Sequence, residues 1–146
     1  RLEIGRELGA DITLNARDVN VVEEVRKISG GPGCDYVMEC SGAPNALNEA
    51  ADMVSRGGRI CLAAFAAQPV TFDPAKLVMD NIYMFGIRGE GKSAVKRAGS
   101  LMAQGRINAK PIHTHTFGLD EVPTAIKYAR EKIDGAIKVV IKMREA

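Results

Sequence analysis

Apolar positions along this chain alternate between two rhythms. Residues 19–29 place Val21, Val22, Val25 and Ile28 on one side of a 3.6-residue helix with charges opposite, and the glycines at 30, 31 and 33 end it. Residues 34–40 then form a short apolar run of the kind that buried parallel strands have. The same exchange repeats: a turn at 41–45, a helix from about 46 to 54, a stop at Arg56, Gly57 and Gly58, and a strand over 59–65. A short helix at 75–79, a strand over 81–88 and a helix from 93 to 104 follow.

Beyond Gly105 the rhythm changes. Residues 107–117 contain Pro111 and predict an extended connection with a short strand. Asp120 can cap a helix running to about 133, and residues 136–142 make a closing strand. At the other end, residues 1–8 read as mid-helix, with no capping residue ahead of Arg1, and residues 11–15 read as a strand. The opening therefore predicts chain upstream of Arg1. Strand–helix alternation with short glycine-rich turns implies an α/β fold, a mostly parallel sheet with helices on both faces. Such sheets bind ligands where their strands end, which directs attention to residues 39–42, 63–67 and 86–91.

Composition narrows the function. At 146 residues and 46% hydrophobic, the chain supports one core and falls short of two ordinary domains. Lys and Arg number 20 against 18 Asp and Glu, scattered along the chain, which argues against nucleic acid and anionic membrane as partners. No apolar run approaches the ~20 residues that span a bilayer. Cys34, Cys40 and Cys61 lack CxxC spacing and sit in or beside apolar runs, so they read as small core residues in a reducing, cytoplasmic compartment.

Residues 86–93 satisfy the phosphate-loop pattern GxxxxGK(S/T) between a strand and a helix. In that reading Lys92 reaches the phosphates, Ser93 holds Mg²⁺, and an acidic partner such as Glu39 is needed at another strand end. A phosphate loop normally opens its domain, and this one comes late. Residues 89–94 also spell GxGxxA, but the region after the following helix offers no ribose-binding acid. A glycine-rich turn opening a helix is the favoured reading of both. His113 and His115 would share a strand face, yet no nearby Cys or acid completes a metal set, so two structural or surface histidines are favoured. Ser41 lacks the glycine two residues ahead that a nucleophile elbow needs. No catalytic residue and no metal ligand is assigned in this chain.

In order, these segments resemble the C-terminal part of the medium-chain, zinc-type alcohol dehydrogenases, and within them the polyol and threonine dehydrogenase branch. The opening helix carries R-L-E-x-x-R-x-x-G-A-D, residues 35–44 resemble the family's D-V-x-x-E-x-(S/T)-G strand and turn, and residues 56–60 its G-G-x-(I/V) strand entry. Residues 113–121 resemble its T-H-x-F-x-L-(D/E)-(D/E) run, and residues 137–141 its closing strand. The resemblance implies a Rossmann-like sheet lacking its first two strands, with residues 12–15 as strand three. Residues 1–108 would be the remainder of the dinucleotide-binding domain and 109–146 a segment returning to the catalytic domain. It implies hydride transfer between a secondary alcohol or polyol and NAD or NADP, zinc held by residues outside this chain, and a homo-oligomer. By position, Arg1 and Ser41 lie near the adenosine end of the cofactor, Ala63, Ala64 and Phe65 near the nicotinamide ribose, and Ile87 and Arg88 beside the nicotinamide. Ala64 departs from the family's common Gly, and residues 89–92 lack the aromatics of the threonine branch. With two central strands missing, the segment alone is expected not to bind dinucleotide tightly and to support its first ~30 residues poorly. A phosphate-loop nucleotide-binding protein and a non-catalytic assembly module are the competing readings.

Overall fold

The computed structural model describes residues 1–89 and 91–143. Its elements run α1 (Leu2–Glu7), α2 (Val21–Ile28), β1 (Cys34–Glu39), α3 (Ala46–Met53), β2 (Val54–Leu62), α4 (Ala75–Asp80) and β3 (Tyr83–Gly86). There follow α5 (Gly91–Ala103), β4 (His113–Gly118), α6 (Val122–Glu131) and β5 (Lys138–Lys142), with 3-10 turns at Lys110–Ile112, Leu119–Glu121 and Ile133–Gly135. The α/β alternation read from the sequence is thus present, in two compact units. One comprises Leu14–Gly91 and the other Arg1–Thr13 with Lys92–Ala146.

In the Leu14–Gly91 unit, β1, β2 and β3 form a parallel sheet in that order. Tyr36, Arg59 and Tyr83 share one row, Val37, Ile60 and Met84 the next, and Glu39, Leu62 and Gly86 the last. The period of two puts alternate rows on opposite faces. Ile60, fully buried, meets Ala50 and Ala51 of α3, with Val54, Ile82, Phe72 and Leu77 closing the core. Two alanines on α3 let that helix lie close on β1 and β2. On the opposite face the Arg59 guanidinium carbon stands 5.9 Å from the Tyr36 ring centroid and 6.0 Å from that of Tyr83, so one cation spans all three strands.

Local chemistry explains the boundaries. Asn20 caps α2, its side-chain oxygen accepting from the Glu23 N–H at 3.3 Å, so the helix starts at Val21 and not Val19. β2 begins earlier than its apolar run: Val54 pairs with Cys34, and pairing resumes only at Arg59 opposite Tyr36. Asn81, in the left-handed region, ends α4, and its unit reaches β3 within two residues.

In the other unit β4 and β5 pair in parallel, joined through α6, which packs on both. Asp120 does not cap α6. Glu121 does the local work instead, its carboxylate accepting from the Gly118 N–H at 3.0 Å across the 3-10 turn, and Pro123 sits in the first turn of the helix. His115 packs with Phe117 and Tyr128, their ring centroids 5.2 Å (His115–Tyr128) and 5.0 Å (Phe117–Tyr128) apart. Thr114 Oγ1 accepts from the Ile137 N–H at 3.0 Å, fixing the entry to β5.

Two further expectations are corrected. Residues 11–15 form no strand, because a strand is held by a partner and no described strand pairs with them. Of the three cysteines only Cys61 is buried; Cys34 is half-buried and Cys40 is exposed at the strand end. Burial pushes the Cys34 thiol above its usual pKa, with the Asp35 charge adding to it against a backbone hydrogen bond, and its Sγ donates to the Met53 carbonyl at 3.4 Å.

Ile60→Ala removes the one large side chain that is fully buried among the described residues. It should lower the unfolding free energy by about 2–5 kcal/mol, read as a shift of the urea midpoint at unchanged slope.

Candidate functional site

The three parallel strands end flush, and the ladder continues one residue beyond them. The Ala63 N–H donates to the Glu39 carbonyl at 2.8 Å, and the Ile87 N–H donates to the Leu62 carbonyl at 3.0 Å. The segments following Glu39, Leu62 and Gly86 therefore leave the sheet side by side. Six of the candidate residues, Ser41, Ala63, Ala64, Phe65, Ile87 and Arg88, sit on them. The seventh, Arg1, belongs to the other unit, where its guanidinium donates to the Ala136 carbonyl at 3.4 Å.

Glu39 organises the first of these segments. One carboxylate oxygen, Oε1, accepts from the Ser41 N–H and the Ser41 hydroxyl, both at 2.6 Å, and from the Gly42 N–H at 2.8 Å. The Ser41 hydroxyl, followed by the N–H groups of Gly42 and Ser41, holds the carboxyl below its usual pKa against the opposing effect of partial burial. Ser41 Oγ in turn accepts from the Ala43 N–H at 3.2 Å.

The turn so formed lies against the second segment. Gly42 has φ +63°, and a Cβ there would fall 2.3 Å from the Phe65 carbonyl oxygen and 3.0 Å from its carbon. Phe65 then meets the third segment, the Arg88 guanidinium carbon lying 5.7 Å from its ring centroid. Behind the edge, a cleft of about 320 Å³ is lined by Glu39, Gly42, Ala43, Leu62 and Ala64 among others. The arrangement offers a ledge of backbone and small side chains at the strand ends, with the Arg88 guanidinium over the Phe65 ring beside it.

Sequence reasoning placed Glu39 in a strand-end loop of interest and weighed it as a possible magnesium partner, but gave it no part in shaping this site. The available signal was a carboxylate at a strand end followed at two and three residues by Ser and Gly, a spacing that lets it bond the turn's own N–H groups. The glycine-rich motif runs from the last residue of β3 into the first turn of α5, with Glu90 within it outside the described residues. His113 Nε2 pairs with Thr116 Oγ1 at 2.8 Å and His115 Nδ1 with Thr114 Oγ1 at 2.9 Å, in keeping with structural roles. Among the described residues no group of three or more His, Cys, Asp or Glu is placed to hold a metal ion. No helix among them is long and apolar enough to cross a membrane.

Residues 1–104 match the family model described as zinc-binding dehydrogenase. The chain belongs to the zinc-binding dehydrogenase family. It is 31% identical over 142 residues to a sorbitol dehydrogenase of Halalkalibacterium halodurans, covering 97% of this chain and 41% of that protein. It is 32% identical over 148 residues to an L-threonine 3-dehydrogenase of Pyrococcus horikoshii, covering 97% of this chain and 42% of the relative. The solved structure of an alcohol dehydrogenase from Thermus sp. ATN1 superposes with a TM-score of 0.87 at 28% identity, over 98% of this chain and 41% of that one. The chain thus spans about two fifths of the length of these family members and shares the fold of the part that it covers.

Two consequences can be measured. Gly42 and Gly57 both have left-handed φ, but only Gly42 faces backbone, since a Cβ at Gly57 meets nothing within 4 Å. Both alanine variants should bear the conformational cost of about 1–2 kcal/mol, and Gly42→Ala should lose clearly more in equilibrium unfolding. For Glu39 the folded pKa lies below the unfolded value, so its stabilisation is complete above the unfolded pKa of about 4.3 and is lost as pH falls through the folded value. The difference in Tm between wild type and Glu39→Gln should therefore be largest at neutral pH and shrink towards pH ~3.

Proposed function

We propose that this chain supplies the carboxyl-edge part of the cofactor site in a longer NAD(P)-dependent dehydrogenase that oxidises a secondary alcohol or polyol. The observation that carries the reading is the flush ending of β1, β2 and β3, with Ser41, Ala63, Ala64, Phe65, Ile87 and Arg88 on the three adjoining segments. Parallel sheets bind dinucleotides across that edge. The close approach of Gly42 to Phe65 leaves the turn without side-chain bulk, as a backbone-lined cofactor ledge requires.

In this reading Ser41 and Gly42 flank the adenosine end, Ala63, Ala64 and Phe65 support the nicotinamide ribose, and Ile87 and Arg88 border the nicotinamide. Arg1 lies in the other unit and carries no part of this reading. The bound dinucleotide supplies a ring able to accept a hydride, and the residues here hold and orient it. The described residues do not form a zinc site, so no step through a metal is assigned to this chain. The family name supports zinc elsewhere in the protein. The family match over residues 1–104 supports residues 1–108 as the remainder of the dinucleotide-binding domain and 109–146 as a return to the catalytic domain. The names of the sorbitol and threonine dehydrogenase relatives support a secondary carbinol as substrate. A cytoplasmic homo-oligomer fits the same reading, with β3 at the sheet edge available for pairing.

Titration of the full-length protein with NADH and NADPH, followed by nucleotide fluorescence, is the test. Saturable binding of at least one is expected, together with NAD(P)⁺ reduction on a panel of polyols and β-hydroxy amino acids. Residues 1–146 alone should bind neither at micromolar concentration. A full-length protein that binds neither cofactor rules the reading out.

A further inference from the structure

Glu39 stands outside the set of residues that would touch the cofactor, yet three of the bonds that shape their surroundings converge on it. Both N–H groups of the turn and the Ser41 hydroxyl point at Oε1. A carboxylate is the fitting acceptor for such a convergence, because hydrogen bonds to an ionised group are roughly twice as strong as neutral ones. The turn cannot drift towards the sheet's second segment, since Gly42 already lies against the Phe65 carbonyl without room for a Cβ. Phe65 in turn carries Arg88 on its ring face. Glu39 is thus the first member of a continuous series of contacts that crosses all three strand ends.

We infer that Glu39 is a positioning residue for the dinucleotide, its carboxylate fixing the turn at Ser41 and Gly42 against Phe65 and so setting the surface that the cofactor meets. This rests on the cofactor reading proposed above. Glu39 itself need touch neither cofactor nor substrate. Its effect is on how well the binding ledge is formed before the ligand arrives, which belongs to affinity and not to the chemical step.

The experiment compares wild type, Glu39→Gln and Glu39→Ala in the full-length protein, measuring the Kd for NADH and NADPH, KM for the oxidised cofactor, kcat, and Tm. Glu39→Gln keeps the shape and an acceptor oxygen but not the charge, and should weaken cofactor binding roughly 5- to 10-fold. Glu39→Ala, which removes the acceptor, should weaken it further. KM should follow Kd while kcat stays within about twofold of wild type. A variant that was only less stable would lose active protein and lower kcat at unchanged KM. If Glu39→Ala fails to fold, the near-isosteric Glu39→Gln still decides the matter. Wild-type affinity in Glu39→Gln, or a loss confined to kcat, overturns the positioning role while leaving the proposed function standing. Absence of NADH and NADPH binding by the wild type overturns both.

Discussion

Everything at the candidate site depends on the register of three parallel strands. Had β2 slipped by one residue, Ile60 would have moved from the α3 face to the face now carrying Arg59, and the core would be lost. Burial of Ile60 against Ala50 and Ala51 therefore fixes where each strand ends as well as how the sheet packs. With Glu39, Leu62 and Gly86 in one row, the three outgoing segments are forced into adjacency before any side chain at the site is specified. The parallel direction then points all three out of the same edge. Hydrophobic packing on one face of the sheet is, in this sense, what brings Ser41, Phe65 and Arg88 near one another.

Much of this was legible in the sequence because it is local. Apolar runs bounded by glycines located β1, β2 and β3, and the side of α2 formed by Val21, Val22, Val25 and Ile28 could be read from spacing alone. What escaped were features whose cause lies elsewhere in the chain. Residues 11–15 carry strand-like apolar positions, but whether they pair depends on a neighbour that their own sequence does not encode. Val54 joined β2 because Cys34, twenty residues earlier, offered it a partner. Asp120 is a sound cap by residue type, yet Glu121 had the geometry to reach the Gly118 N–H.

The site was legible by position more than by chemistry. The pattern named the strand-end loops and the family resemblance named the candidates, six of the seven of which fall on one edge. Glu39 is the instructive omission. Read as a potential metal partner it would direct its carboxylate outward, whereas the structure turns one oxygen back onto the chain that follows it. The difference is set by the next three residues, since Ser supplies a hydroxyl donor and Gly a backbone that can curl at positive φ. An acid followed by a residue with a bulky Cβ at that third position could not close the same turn against Phe65.

A site built in this way explains how the fold tolerates sequence change. The contacts that define the edge are largely backbone N–H groups and carbonyls with one hydroxyl and one carboxylate, and Glu39, Ser41 and Gly42 are tied to a residue type by the geometry observed. The Thermus alcohol dehydrogenase retains the architecture at 28% identity, with a TM-score of 0.87, as expected where the retained object is a set of strand ends. Side chains facing outward from that edge are freer to vary. Ala64 shows the latitude: its Cβ would lie about 3.6 Å from a Cβ at Gly42, an ordinary contact, while the Phe65 carbonyl beside it leaves no such space. The constraint therefore falls on Gly42, at the approach of the two backbones, and relaxes one residue away. Arg88, held over the Phe65 ring by its face and not by a close approach of backbone, belongs to this freer set.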